Sequence, residues 1–294
     1  MANIFDFIAL PLGKFLFFIY NNLAFLNYGV AIIMFTVIIK LVLLPLTVKQ
    51  YRSTSKMQEV QPQIQEIQKR YKNDKEKLNQ ELMKVYQTNK VNPAGGCLPL
   101  LVQMPILFSL FYVITQPLKY MLGKSAQQIQ TLVDFVSKVS ETGFYKQIAV
   151  LEYFNKNAGD LGKVGDILKP NELISMKFLG LNLSLTPVLD PKLLFGADTM
   201  GKFLPLMLIP ILGVITTYIS TKLSMPRTVQ SNTQGAAGSM QNSMMYIGPI
   251  MTLIFSFQLP AGVGIYWIAG YIFQIFQQLY INKHILKKKE VAIK

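Results

Sequence analysis

Lys40 is the one charged residue in an apolar run of twenty, 29–48 (GVAIIMFTVIIKLVLLPLTV). At ~1.5 Å rise per residue such a run matches a hydrocarbon core of ~30 Å. A lysine near mid-membrane costs ~3 kcal/mol on insertion scales. It therefore either faces a wet cavity, where its charge can attract acidic groups, or snorkels its ammonium to the headgroups. Roughly 12 Å of helix separates Lys40 from residue 48, a long reach for one side chain. Thr36 and Thr47 lie four residues before and seven after it, on the same side of a helix. That alignment favours a wet face.

Other chemistry-bearing residues are sparse. The single cysteine, Cys97, leaves no internal disulfide and no multi-cysteine metal site. The single histidine, His284, sits in a basic tail without a Ser/His/Asp arrangement around it. No HExxH, Walker A, GxSxG or GxGxxG pattern stands in a credible context. No catalytic residue, metal ligand or cofactor is expected.

Composition points to a membrane protein. The chain of 294 residues is 51% hydrophobic and 15% charged, with mean hydropathy +0.33. A soluble domain is nearer ~25% charged. Net charge is +14, so its distribution decides what it does: headgroup contact, topology or RNA.

The fold expected is an all-α integral membrane bundle of five spans, at 29–48, 98–121, 203–223, 243–259 and 262–281. Prolines 45, 99, 105, 205, 210 and 249 fall within them, tolerated where neighbours satisfy the freed carbonyls. Only Pro260 and Ala261 join the last two spans, which requires an antiparallel hairpin. Segment 49–92 carries ten basic and five acidic residues, whereas 122–202 carries nine lysines against eight acids. The positive-inside rule then places segment 49–97, linker 224–242 and tail 282–294 in the cytoplasm. Segment 122–202 and the N-terminus fall outside. Residues 1–28 read as an interfacial helix on the outer leaflet. A sixth span is the alternative, interrupted by Asn21 and Asn22. A cleaved signal peptide is not expected, because no basic region precedes the apolar stretch and no small-residue cleavage site follows it.

Segment 49–97 reads as a helical hairpin. Met57, Val60, Ile64, Ile67 and Tyr71 form one apolar stripe; Leu78, Leu82, Val85 and Tyr86 form another. Lys72-Asn73-Asp74 is the turn, and Gly95-Gly96 gives a flexible entry to the second span. Its basic residues, Arg52, Lys56 and Arg70 among them, are either a solvated face or contacts to headgroups, a ribosome or a docking partner. No aromatic RNA-stacking motif is present, so specific nucleic-acid readout is unsupported.

Polar stripes recur in the other spans. Gly213, Thr216, Thr217 and Ser220 share a face, as do Thr252 and Ser256. Trp267, Gly270, Tyr271, Gln274 and Gln278 form another, and Gln103 stands near the start of the second span. Each stripe alone is compatible with helix packing through small and hydroxyl residues. Beside a spanning lysine they suggest a shared hydrated groove that attracts acidic groups of an incoming polypeptide. No acidic residue lies within the spans and no matching half-repeats are apparent, which weakens a secondary-transporter reading.

Four segments carry a resemblance: IIKLVLLPLTVKQYRSTSKMQEVQPQIQEIQKRY (38–71), VNPAGGCLPLLVQMPILFSLFYV (91–113), FLPLMLIPILGVITTYISTKLSM (203–225) and LPAGVGIYWIAGYIFQIFQQ (259–278). The chain resembles the YidC/Oxa1/Alb3 family of membrane protein insertases, in its short bacterial form without a large periplasmic domain. The resemblance implies a hydrophilic groove open to cytoplasm and lipid, capped by the hairpin. Taken with the polar stripes, client contact is expected at Lys40, Thr36, Gln103, Thr217, Ser220, Trp267, Tyr271 and Gln274. The family's groove cation, usually arginine, falls on Lys40, which keeps charge but loses bidentate bonding. Ser220 stands where some relatives have glutamine. There is no lipoprotein-type cysteine near the N-terminus, and segment 122–202 is longer than the resemblance leads one to expect. The implied function is that of an insertase and chaperone in the bacterial plasma membrane, without enzymatic chemistry. Its partners would be nascent membrane proteins and membrane lipids, with the ribosome and a Sec translocon as further candidates. The alternatives are a solute or lipid transporter using Lys40 as an anion site, and a scaffold with a ribosome-binding hairpin.

The charge asymmetry makes a topology prediction. Single cysteines at Lys75 and Lys156, in a Cys97→Ser background, should label from opposite membrane faces. Same-side labelling would remove the five-span arrangement.

Overall fold

The structure, a computed structural model, describes residues 5–91, 98–140, 143–224 and 236–283, and their side chains except at 58, 98–103 and 236–244. Gly95-Gly96, Cys97, residues 225–235 of the linker, and His284 with the rest of the tail from 284 lie outside the described residues, as does the Gln103 side chain.

α1 is Asp6–Asn22, and the run predicted as one helix over 29–48 is shared between two, α2 (Tyr28–Val42) and α3 (Leu44–Glu59). Pro45 and Pro62 mark where α2 and α3 end. α2 and the following helix are bent by 59° at Leu43. Pro45 has no N–H for the Leu41 carbonyl and its ring crowds that carbonyl, so the helix cannot continue through it unbent. Thr47 consequently lies beyond the bend and does not share a helix with Lys40, contrary to expectation. Pro62, at the start of α4 (Gln61–Arg70), accompanies a second break at Val60. The first hairpin arm is therefore also two helices. α5 (Lys75–Thr88) begins where Asp74 accepts from Lys77 N at 3.0 Å. α6 (Leu98–Thr115) ends before Pro117, which holds Gln116 out of the helical region (φ −127°, ψ 57°) and opens a short α7, Pro117–Tyr120.

From Met200 the chain winds continuously through α11 (Met200–Phe203), a 3₁₀ turn and α12 (Leu208–Ser224). Residues Met200–Ser224 are by themselves long and apolar enough to cross a membrane. α2 with the start of α3 passes the same test as a bent pair. α13 (Ala236–Ser256) and α14 (Ala261–Ile281) complete the bundle, and α12 packs on both. Small residues allow the close approach. A Cβ on Gly264 would overlap Ile209. One on Gly213 would lie 3.2 Å from the Thr252 methyl, and one on Gly248 3.4 Å from that of Thr217.

Segment 122–202 folds as a cap on the other end of the bundle. It contains α8 (Ala126–Ser137), α9 (Lys146–Lys156), a two-stranded hairpin of β1 (Lys177–Phe178) and β2 (Leu181–Asn182), and α10 (Pro191–Phe195). Lys177 pairs with Asn182 and Phe178 with Leu181. The two turn residues, Leu179 and Gly180, both have positive φ (48° and 80°), as a tight hairpin of this twist requires. Leu132, Val136, Val150, Leu151, Phe154, Leu168 and Ile174 are buried and belong to the same apolar cluster as the bundle residues Ile32, Phe35 and Val113. The cap docks by specific contacts. Phe178 fills the space a Cβ on Gly29 would need. The Leu183 and Leu185 carbonyls accept from Gly262 N (3.1 Å) and Ala261 N (2.8 Å), satisfying amides that the first turn of α14 leaves free. α1 lies beneath the cap. Asp6 accepts from Lys119 Nζ (2.9 Å) and the Tyr120 hydroxyl (2.7 Å), while at the far end the Tyr20 hydroxyl accepts from Ser175 N (3.0 Å).

Glu152 ties the strand hairpin to α9. It accepts from Lys156 (2.8 Å), Asn182 (2.9 Å) and Ser184 (2.6 Å). Burial alone would raise its carboxyl pKa; the bonds from Lys156, Ser184 and Asn182 outweigh it and hold the group below its ordinary value. Its contribution is therefore present above the unfolded pKa and lost as pH falls through the folded one. Glu152→Ala should loosen the Leu183 amide, which donates to Met176 O at 2.7 Å, by about 1–3 kcal/mol at neutral pH. Hydrogen exchange at that amide measures this. The difference from the parent protein should vanish on acidification, and a gap that persists unchanged would show the carboxylate is not responsible.

Candidate functional site: a cation at a helix break

Lys40 lies in the last turn of α2, three residues before the bend. The helix end carries partial negative charge on its carbonyls, which partly offsets the cost of the ammonium. Its aliphatic stem runs over Gly270 of α14. A Cβ there would stand 3.8 Å from Lys40 Cε and 3.9 Å from the Thr36 methyl. Among the described residues, no carboxylate lies within ion-pair range of Lys40 and no hydrogen bond reaches its nitrogen. An unpaired, partly buried cation beside a glycine gap is the chemical core of the site.

The bend brings α3 toward the ends of α12 and α14. The Tyr51 phenol turns toward Ser224 and Gln274. Around them, Ser220 Oγ, Ser224 Oγ, Gln277 Nε2 and Gln278 Oε1 are buried without a hydrogen-bond partner among the described residues. Each such atom costs ~1–3 kcal/mol unless water or a guest polar group bonds it. Gln278 is partly satisfied, donating to Asn282 at 2.8 Å.

The candidate residues distribute unevenly. Lys40, Thr36 and Gln274 lie along the seam of α2, α3 and α14. Thr36 turns its hydroxyl back to the Ile32 carbonyl (2.6 Å), so it lends Lys40 shape and no free polar atom. Thr217 bonds Thr252 at 3.2 Å in the α12–α13 seam. Thr216 and Ser256 bond carbonyls of their own helices. These hydroxyls are bonded within their own helix or, for Thr217, across the α12–α13 seam. Ser220 is buried and unpartnered. Trp267 faces Phe255 of α13, ring centroids 6.1 Å apart, and Tyr271 lies half-buried one turn along from it. Arg52 and Lys56 are exposed, while Arg70 pairs with Glu66 of its own helix at 2.8 Å. Tyr51 and Gln277 belong to the site although the sequence did not single them out. Tyr51 depends on the bend, and Gln277 sits beside the stripe that Gln274 and Gln278 define. A separate cleft of about 450 Å³, bounded by Lys119, Lys124 and Gln147, is on the cap side. Its lysines are engaged by Asp6 and Glu172.

A mostly helical chain with one helix long and apolar enough to cross a membrane, and a bent apolar pair that passes the same test, fits an integral membrane protein. Comparison gives the family. Residues 18–289 match the family model of the 60Kd inner membrane protein. The chain is 33% identical over 269 residues to a protein of Clostridium perfringens named Membrane protein insertase YidC, covering 90% of this chain and 84% of that one. It is 30% identical to the Oceanobacillus iheyensis protein of the same name, covering 90% and 77%. A Geobacter metallireducens relative is 30% identical over 96% of this chain but only 38% of its own length. The chain belongs to the YidC/Oxa1 family of integral membrane proteins.

The Lys40–Gly270 contact is testable by itself. Gly270→Ala fits at ordinary contact distance and should leave thermal stability nearly unchanged. Gly270→Leu should cost about 1–3 kcal/mol by overpacking against the lysine stem. Lys40→Ala should recover part of that loss. Coupling of about 0.5 kcal/mol or more in the double-mutant cycle is expected; strict additivity would place the two side chains apart.

Proposed function

We propose that this chain is a membrane protein insertase that receives a client's polar segment beside Lys40 and releases its apolar segment into lipid. The relatives' name supports the insertase assignment, and the unpaired Lys40 at a helix break supports the site. The activity is non-enzymatic: the protein lowers a barrier, and client hydrophobicity supplies the drive. No observation favours the transporter alternative, and the relatives are named insertases.

Five spans, with the cap outside and the Lys40 end facing the cytoplasm, is the arrangement consistent with the charge asymmetry. α1 is then an interfacial helix. Both of its ends meet cap-side residues, Lys119 and Tyr120 at one and Tyr28 and Ser175 at the other, as a helix lying across the bundle end would. In this reading Lys40, Gln274, Tyr51 and the unpartnered Ser220, Ser224, Gln277 and Gln278 atoms form the polar mouth. The exposed cations of α3–α5 are available to headgroups, to a ribosome or to a Sec translocon.

The test separates charge from structure. Lys40→Arg should keep insertion. Lys40→Ala should lose it for clients with acidic translocated segments, and Lys40→Glu should be worse than alanine. The expected difference is between about 1 and 4 kcal/mol, the span from bulk water to a near-surface dielectric at contact distance. It should shrink when client acids are changed to amides. Reconstituted insertion at matched protein levels reads all of these. Equal activity of Lys40→Ala and parent on the acidic client would remove the groove cation and leave the family assignment intact.

A further inference from the structure

The rod Met200–Ser224 has lysines near both ends and no charge between them. Lys202 and Lys222 are twenty residues apart, ~30 Å of helix, the thickness of a hydrocarbon core. Leu208, Ile211, Leu212, Ile215 and Ile219 stand exposed along one face of α12, the strip that lipid must cover. The exposed strip does not stop at α12. It continues through Leu204 and Met200 into the knee that precedes the rod, where Phe195 is 68% and Leu189 64% exposed.

The knee is a fixed structure. Asp190 Oδ1 accepts from Lys192 N at 2.9 Å and caps α10. Thr199 N and Met200 N both donate to the Gly196 carbonyl, at 3.1 and 2.8 Å. Gly196 has no room for a Cβ, which would overlap the Lys192 carbonyl. Leu194 is buried, so Phe195 beside it is turned outward by the same geometry. The exposed charges Asp190, Lys192, Asp198 and Lys202 ring the apolar residues. A large aromatic and two aliphatics amid balanced charges suit the boundary between headgroups and acyl chains, and the charges forbid deeper entry.

We infer that the knee 189–200 is a membrane anchor of the cap. Phe195 and Leu189 rest at the headgroup–acyl boundary of the leaflet on the cap side, with Lys192 and Lys202 at the phosphates. The inference rests on α12 spanning the bilayer, and it gives segment 122–202 a role in seating the cap on lipid.

Single cysteines labelled with an environment-sensitive nitrobenzoxadiazole dye test it, in the full chain with Cys97→Ser, reconstituted in phosphatidylcholine–phosphatidylglycerol vesicles. Labels go at Phe195→Cys, Leu212→Cys and Asp166→Cys. The Phe195 label should lose most of its emission to lipids carrying a shallow nitroxide and little to aqueous iodide, and Asp166 should behave oppositely. Leu212 should be quenched by a deep nitroxide. Iodide quenching at Phe195 equal to that at Asp166 would place the knee in water and overturn the anchor. Shielding of Phe195 from both quenchers would mean that protein covers it, which also overturns the anchor. An unquenched Leu212 would remove the spanning of α12 instead, and the anchor with it.

Discussion

Pro45 cannot donate to the carbonyl four residues before it, and the architecture of the polar end follows from that missing bond. α2 stops at Val42 and the chain turns by 59°. Lys40 thereby gains the carbonyl end of a helix as a neighbour, in place of a mid-helix position in hydrocarbon. The same turn carries Tyr51 to Ser224 and Gln274. A straight helix through 48 would have pointed Tyr51 away from the bundle and left Lys40 with only snorkelling to relieve its charge. The lysine stem passes over Gly270, where a Cβ would meet it at 3.8 Å.

The two ends of the bundle are built on opposite principles. At the cap end most polar groups find partners, the buried Tyr28 hydroxyl apart: loop carbonyls take the free amides of α14, Glu152 has three donors, and Lys124 is held by both oxygens of Glu172 at 2.7 Å. At the Lys40 end four buried polar atoms and one cation lack partners among the described residues. Satisfied networks rigidify and unsatisfied ones invite water or a guest. In the proposed function, the client meets the end that has bonds to offer, and the cap holds the helices in register at the other.

Much of this was legible from residue types and spacing. The Lys40 anomaly, the Asp74 helix start after Lys72-Asn73 and the stripe holding Gly270 and Gln274 all follow from period and composition. Less legible was what each proline does. Pro45, Pro62 and Pro117 stand at breaks, whereas Pro105, Pro210 and Pro249 lie inside α6, α12 and α13. The difference depends on whether neighbours support the bent backbone, which one sequence does not reveal. The hydroxyl stripes were ambiguous for a related reason. Thr217 has the same periodicity whether it faces water or Thr252, and only the partner helix decides. By charge the cap reads as a near-neutral loop, although its buried Leu132, Leu151 and Phe154 mark a folded unit.

Magnitudes explain why such a site can work without a nucleotide. A client span of about twenty apolar residues gains roughly 0.3–0.6 kcal/mol per residue at mid-membrane, or ~6–12 kcal/mol in all. A single cation at contact distance offers ~1–4 kcal/mol. The drive therefore resides in the client, and Lys40 cannot be its source. In the proposed function the cation would touch the polar segment only in transit, so it would change the barrier and not the end point. A much stronger attraction would hold the acidic segment in the mouth and slow its release. In the proposed function an unpaired lysine would be weak enough to let go, and a carboxylate partner of its own would have cancelled it.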